Sequence, residues 1–235
     1  MFRRTTIASV LGAAALGCAA FGAVSSPARY APPTPKFSNP TNISNPYLPI
    51  TSFRKCVLAG RDGSQHLRVT RTLLPATQAF TYAGQSFQAV KVLDRVVDLK
   101  SSQRIERTID YFAQSDAGDV YYLGEDVNDY KDGKFVGHEG QWRLGRDTHV
   151  PGILMSAHPA VGQAFDSENV PGIVHETSTV VAAGQVRKAA GHYYSNVLTI
   201  REDATPPPEV EYKNYAPGMG VITEANGGIR LLRCR

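Results

Sequence analysis

Apolar and polar side chains alternate with a period of two through most of this chain beyond residue 50, and that rhythm confines it to sheet. His66-Leu67-Arg68-Val69-Thr70-Arg71-Thr72-Leu73 alternates apolar and polar side chains, and Phe87 to Asp98 and Arg104 to Phe112 follow as long β-branched runs. Val120–Leu123, Phe165–Val170, Val174–Val181, Tyr193–Arg201, Val210–Tyr215 and Val221–Glu224 continue the series. Successive side chains of a strand point to opposite faces, so period two marks a sheet with one buried face. Turn signals separate the runs: Arg61-Asp62-Gly63, Asp116-Ala117-Gly118-Asp119, Lys131-Asp132-Gly133-Lys134, Ala183-Gly184 and Asn226-Gly227-Gly228. Asp-Gly supplies the positive φ that tight hairpins need. No window carries a capped helical period. The expected fold is all-β: a single antiparallel sheet of roughly 9–12 strands over residues 50–235, curled into a barrel or half-barrel to limit exposed edges.

The N-terminus has a different character. Met1-Phe2-Arg3-Arg4 precedes a neutral run from Thr5 to Val24, rich in Ala, Gly, Leu and Val. A basic start, a short apolar centre and small residues near its end describe a secretion signal over residues 1–25, with an uncleaved anchor as the alternative. Ala15-Leu16-Gly17-Cys18 resembles a lipoprotein box, except that the aliphatic residue stands one place late; ordinary export is therefore preferred to a lipid anchor at Cys18. Seven of the 15 prolines fall between Pro27 and Pro49. Proline lacks a backbone donor, so residues 26–49 read as an extended linker whose Tyr47 and Leu48 dock on the domain.

Cleavage removes Arg3 and Arg4 and no acid, which takes the formal charge from +4 to +2. The remaining cations are interleaved with acids and apolar residues. A nucleic-acid groove needs a basic stripe with stacking aromatics, so no nucleic-acid partner is expected, and no apolar run after the leader is long enough to span a membrane. Two of the three cysteines then remain. Cys56 lies in the first apolar run and Cys234 in the last. In an oxidising compartment they most simply form one disulfide closing nearly the whole domain, a long loop contributing about 4–5 kcal/mol; two buried thiols are the alternative. The chain is placed outside the cell or in the periplasm.

Residues 137–162 break the strand rhythm with five glycines, two prolines and the single Trp, Trp142. A long irregular segment inside a compact domain is mobile or functional, and this one reads as a mouth or lid. Several runs here and nearby resemble a group of exported bacterial proteins of unknown function. They are Tyr121-Tyr122-Leu123-Gly124-Glu125-Asp126, His138-Glu139-Gly140-Gln141-Trp142, Pro151-Gly152-Ile153-Leu154-Met155, His158-Pro159-Ala160-Val161-Gly162, the Glu168 segment and Glu211 to Gly220, with Asn45-Pro46-Tyr47-Leu48-Pro49 as the domain's opening. The resemblance covers roughly residues 45–225 and implies a secreted or periplasmic β domain without assigning a reaction. The chain departs from the group's pattern at Ser167 and His175.

Five of the six histidines lie between residues 138 and 192. Imidazole beside carboxylate binds transition metals or works as an acid/base pair, which makes His138, His149, His158 and His175 candidate metal ligands; solvated loop histidines are the alternative. On a strand His175 and Glu176 point to opposite faces. Glu125, Glu139 and Glu168, with His138 and His158, are the candidate catalytic groups, since inward carboxylates in a dry barrel have raised pKa values. The alternative is that they fix the Gly-rich segment through Trp142 or backbone amides. No Gly-x-Ser-x-Gly turn surrounds Ser156 or Ser167, and no phosphate-cradling Gly-rich loop opens a helix. Tyr122, Trp142, Met155 and Phe165 are candidate cavity walls, although aromatics at strand spacing are mostly core. The leading expectation is an exported β-barrel-like protein that binds a small apolar or amphipathic ligand. The alternative is a secreted acid/base or metal-assisted enzyme, a hydrolase or lyase, working with Glu and His of segment 125–176. No particular cofactor is indicated.

Overall fold

The computed structural model describes residues 28–235. The secretion signal and Cys18 lie outside the described residues. Sixteen strands follow one another with only two short 3-10 turns between them: β1 (Ala28–Arg29), β2 (Lys55–Asp62), β3 (Gln65–Leu73), β4 (Gln78–Tyr82), β5 (Gln85–Asp98), β6 (Arg104–Gln114), β7 (Val120–Lys131) and β8 (Lys134–Gly137) in the first half. The second half holds β9 (Trp142–Arg143), β10 (Gly152–Met155), β11 (Gln163–Val170), β12 (Val174–Ala189), β13 (His192–Thr205), β14 (Glu209–Ala216), β15 (Gly220–Glu224) and β16 (Ile229–Cys234). The count exceeds the expected 9–12 because short strands that carry no periodicity of their own, such as β1, β9 and β10, complete the edges.

The main sheet runs β11-β12-β13-β14-β15-β16-β2-β3-β5-β6-β7-β10, with β4 beside β5 and β8 and β9 beside β7. Every pairing is antiparallel except that of β1 with β11. No ladder joins β10 to β11, so the sheet is not a closed hydrogen-bonded barrel. Its two ends nevertheless touch: a Cβ placed on Gly152 of β10 would lie 1.8 Å from the Ser167 carbonyl oxygen of β11. Only glycine permits that approach, and it brings the sheet round on itself.

The first and last long strands are stapled as expected. β2 pairs with β16 in a register that places Cys56 opposite Cys234, and the two form a disulfide across 178 residues of sequence. The interior holds two apolar clusters. The larger gathers Tyr122, Trp142, Met155, Phe165, Leu198 and Ile200; the smaller gathers Leu58, Leu67, Val69, Val96, Ile222 and Leu231.

The Pro-rich segment packs on the domain well before Tyr47, unlike a free linker. Phe37 stacks on Phe87 with ring centroids 4.0 Å apart and meets Tyr121 edge-on at 5.5 Å, while Ile43 is fully buried. By strand parity Phe87 and Tyr121 face away from the interior, so this strap covers an outer surface that alternation alone leaves to solvent. Gln114 Oε1 accepts from the Ser44 and Asn45 amides, and Asn45 Nδ2 donates to the Gly118 and Ser156 carbonyls. Beyond that anchor the strap crosses to the other side: the Tyr47 hydroxyl donates to the Asn196 carbonyl and the Gly218 amide to the Pro46 carbonyl.

Residues 137–162 form no free lid. Trp142–Arg143 and Gly152–Met155 both pair with β7, and Trp142, Leu144, Ile153 and Met155 are buried. The segment reads as irregular because its strands are only two and four residues long.

Candidate functional site

On each central strand, one or two charged side chains share the parity of the buried apolar residues. Val90, Val92, Asp94 and Val96 alternate along β5; Glu106, Thr108, Asp110 and Phe112 along β6; Leu198, Ile200 and Glu202 along β13; Glu211, Lys213 and Tyr215 along β14. β3 contributes Arg71, β7 Glu125, β11 Glu168, β12 Glu176 and β15 Glu224. The inward face therefore carries nine buried carboxylates, from Asp94 to Glu224, together with Arg71 and Lys213.

Burying a charge is tolerable only when it is paired or neutralised. Arg71 on β3 holds two acids at once: Nε lies 3.0 Å from Asp94 on β5 and Nη2 lies 2.8 Å from Glu224 on β15. Lys213 Nζ lies 2.6 Å from Glu202 and 3.6 Å from Glu211. Tyr122 donates to Asp110 at 2.7 Å and Trp142 Nε1 donates to Glu168 at 2.6 Å. Ser167, displaced inward at a bulge of β11, donates to Glu176.

Where pairing is incomplete, the proton does the rest. Burial, aided by the charge on Glu168, pushes the Glu125 carboxyl well above its usual range, and burial with the charge of Glu202 does the same to Glu176. Burial raises Glu106 to about 8. Burial also raises Asp94 and Glu202 to about 6, against the lowering pull of Arg71 and Lys213 respectively. Only Glu224 is drawn down, the attraction of Arg71 and Lys213 outweighing its burial.

These shifts fix a direction for stability against pH. A carboxyl whose folded pKa is raised stabilises the fold fully below its unfolded value, and that contribution is lost as pH rises through the folded value. For Asp94, Glu202 and Glu106 the window runs from about 4 up through about 6 and then about 8. The thermal midpoint is therefore expected to fall between pH 5 and pH 9, and Glu106→Gln to flatten the upper part of that fall. A midpoint that rises across the range would refute this account of the interior.

The belt borders a cavity of about 140 Å³ inside the curled sheet. Its polar wall comprises Arg71, Asp94, Asp110, Glu202, Lys213 and Tyr215. Leu58, Leu73, Val92 and Phe112 supply apolar wall from the strands, and the end of the strap, Leu48, Pro49, Ile50 and Phe53, supplies its rim. The strap thus takes the place at the opening that the Gly-rich segment was expected to occupy; that segment contributes Leu154 alone.

The residues singled out in the sequence divide sharply. Glu125 and Glu168 are buried and their charges act on each other, whereas Glu139 is exposed, its amide donating to Asp129. Glu168 anchors Trp142, as the structural alternative for these acids required. His138, His149, His158 and His175 are all exposed, with His138 Nδ1 against the Val127 carbonyl and His175 Nε2 3.3 Å from Asp166. Among the described residues no group of three or more His, Cys, Asp or Glu is disposed to hold a metal ion. His175 and Glu176 do point to opposite faces. Tyr122, Trp142, Met155 and Phe165 are core, Tyr122 meeting Trp142 edge-on at 5.4 Å, and none of the four borders the cavity. Sequence reasoning missed Arg71, Asp94, Asp110, Glu202 and Lys213, although a charge on the apolar parity of a strand was the available signal.

What fold and site define is an all-β domain whose inward face combines an apolar cavity with a belt of paired ions. No family model matches the chain, and no curated protein matches it. Among solved structures it is similar to a Bacteroides fragilis NCTC 9343 protein proposed to be exported and described as having a YmcC-like fold. The identity is 12%, the match covers 86% of this chain and 99% of that one, and the TM-score is 0.36. A likeness of that degree assigns neither ligand nor activity. No helix among the described residues is long and apolar enough to cross a membrane.

Proposed function

We propose that this is an exported domain that holds a small amphipathic ligand inside its curled sheet, outside the cell or in the periplasm. The leader sequence and the cystine joining β2 to β16 support export, since such bonds persist in oxidising compartments. The observation that carries the binding reading is the cavity, apolar at its rim and ionic on its wall. Its volume of about 140 Å³ is close to the roughly 150 Å³ of an engineered cavity that takes benzene. A ligand's apolar part would lie against Ile50, Phe53, Leu73 and Phe112, and its polar end against Asp94 and Tyr215. The enzymatic reading has less support, because the imidazoles it needs are on the outside, while Glu168 is occupied with Trp142 and the acids at the cavity with Tyr122, Arg71 and Lys213.

The test is to incubate the purified protein with lipid and aromatic extracts, wash it, denature it and identify released molecules by mass spectrometry. A retained apolar-bodied compound is expected, and Val221→Phe, which adds bulk to the cavity wall, should reduce its recovery at least fivefold. Equal recovery from the variant, or no retained compound, would count against the reading.

A further inference from the structure

The cavity's charge distribution selects the kind of head group it takes. Both of its cations are already engaged: Arg71 by Asp94 and Glu224, Lys213 by Glu202 and Glu211. An anionic head entering the cavity would find no free positive charge and would have to displace an acid from a buried ion pair. The acids outnumber the cations. Around the cavity stand Asp94, Asp110, Glu202, Glu211 and Glu224, five carboxyl groups against two cationic side chains.

Hydrogen-bonding capacity is unbalanced in the same sense. Asp94 is 3% exposed and borders the cavity; one of its oxygens faces Arg71, while Oδ1 has no partner among the described residues. Tyr215 is 6% exposed and borders the same cavity. Buried polar atoms are nearly always satisfied, so the unmet Asp94 oxygen at this cavity marks where a ligand's polar atom belongs, with the Tyr215 phenol on the same wall. A carboxylate oxygen is acceptor only, and a phenol both accepts and donates. What is missing from this wall is a donor.

We infer that the occupant is a cationic amphiphile, a primary or secondary alkylammonium whose nitrogen donates to Asp94 and Tyr215 while its carbon chain runs out along the strap residues at the rim. An alkylammonium is charged at neutral pH, as a lysine side chain is, and it brings up to three donors and no acceptor, the complement of this wall. The inference rests on the cavity-binding reading above and narrows it to one head-group charge.

Three probes of equal chain length separate the two statements: hexylammonium, hexanol and hexanoate, titrated into the purified protein by calorimetry at pH 7.5. Hexylammonium is expected to bind at least tenfold more tightly than hexanoate, with hexanol between them. Asp94→Asn, which keeps an acceptor for Arg71, should weaken hexylammonium at least tenfold and leave hexanol within threefold; Tyr215→Phe should weaken hexylammonium by a smaller factor. Hexanoate binding as tightly as hexylammonium, or an Asp94→Asn variant with unchanged preference, overturns the head-group inference and leaves the cavity reading standing. Binding of none of the three overturns both.

Discussion

Replacing Cys56 and Cys234 together by Ser is expected to lower the unfolding free energy by about 5 kcal/mol, from a loop of 178 residues. The bond acts chiefly on the unfolded chain. With it, the two ends of the sheet's long circuit can never separate; without it, pairing β2 with β16 has to be recovered by closing nearly the whole domain as one loop. Urea unfolding of the double variant, compared with the oxidised parent, measures the difference. Treatment of the parent with a reductant should reproduce it, since the Ser side chains and the free thiols leave the same unrestrained loop. A loss below about 1 kcal/mol would mean that the unfolded chain retains the β2–β16 pairing unaided.

The second large effect concerns Lys213. Its ammonium is buried between Glu202 and Glu211, and removing one member of a buried pair strands the other, which typically costs about 3–5 kcal/mol. Lys213→Met should therefore destabilise the domain by that amount at pH 8. The deficit should shrink at pH 5 for a definite reason. Glu202 is raised to about 6 by burial even with Lys213 pulling it down, so without the lysine its folded value climbs further. A raised folded pKa gives stability that is complete below the unfolded value and is lost as pH rises, so the variant recovers as the solution is acidified. Adding Glu202→Gln should restore part of the loss at pH 8 and little at pH 5. A deficit identical at both pH values would show that packing, not charge, is what Lys213 contributes.

The sequence exposed those parts of the fold that depend on neighbours along the chain. The long strands announce themselves through alternation, Cys56 and Cys234 through their places in the first and last apolar runs, and the division of His175 from Glu176 through parity. What escaped depends on partners brought together by curvature. Arg71 and Glu224 are 153 residues apart and sit on strands separated by two others in the sheet, so nothing local to either predicts that they meet. Lys213 in a polar-looking stretch reads as solvated until Glu202 is known to lie beside it. The histidines misled for the opposite reason. They are crowded in sequence, but they fall on turns and outward strand positions that point away from one another. The strap escaped because proline content says what Pro27–Pro49 is not, and cannot say that Phe37 has a stacking partner in Phe87 fifty residues on.

The strap bears on how the domain answers to a pull. Its contacts are arranged in sequence along the chain: the two-residue parallel pairing and the Arg29–Asp166 clip, then the Phe37–Phe87 stack, then Asn45, and only afterwards the rim residues from Leu48 to Phe53. Tension applied upstream of Ala28 must undo these weak links one by one before it reaches the entrance. Load is thus dissipated in small steps, and the rim is reached only when the last fastening has peeled.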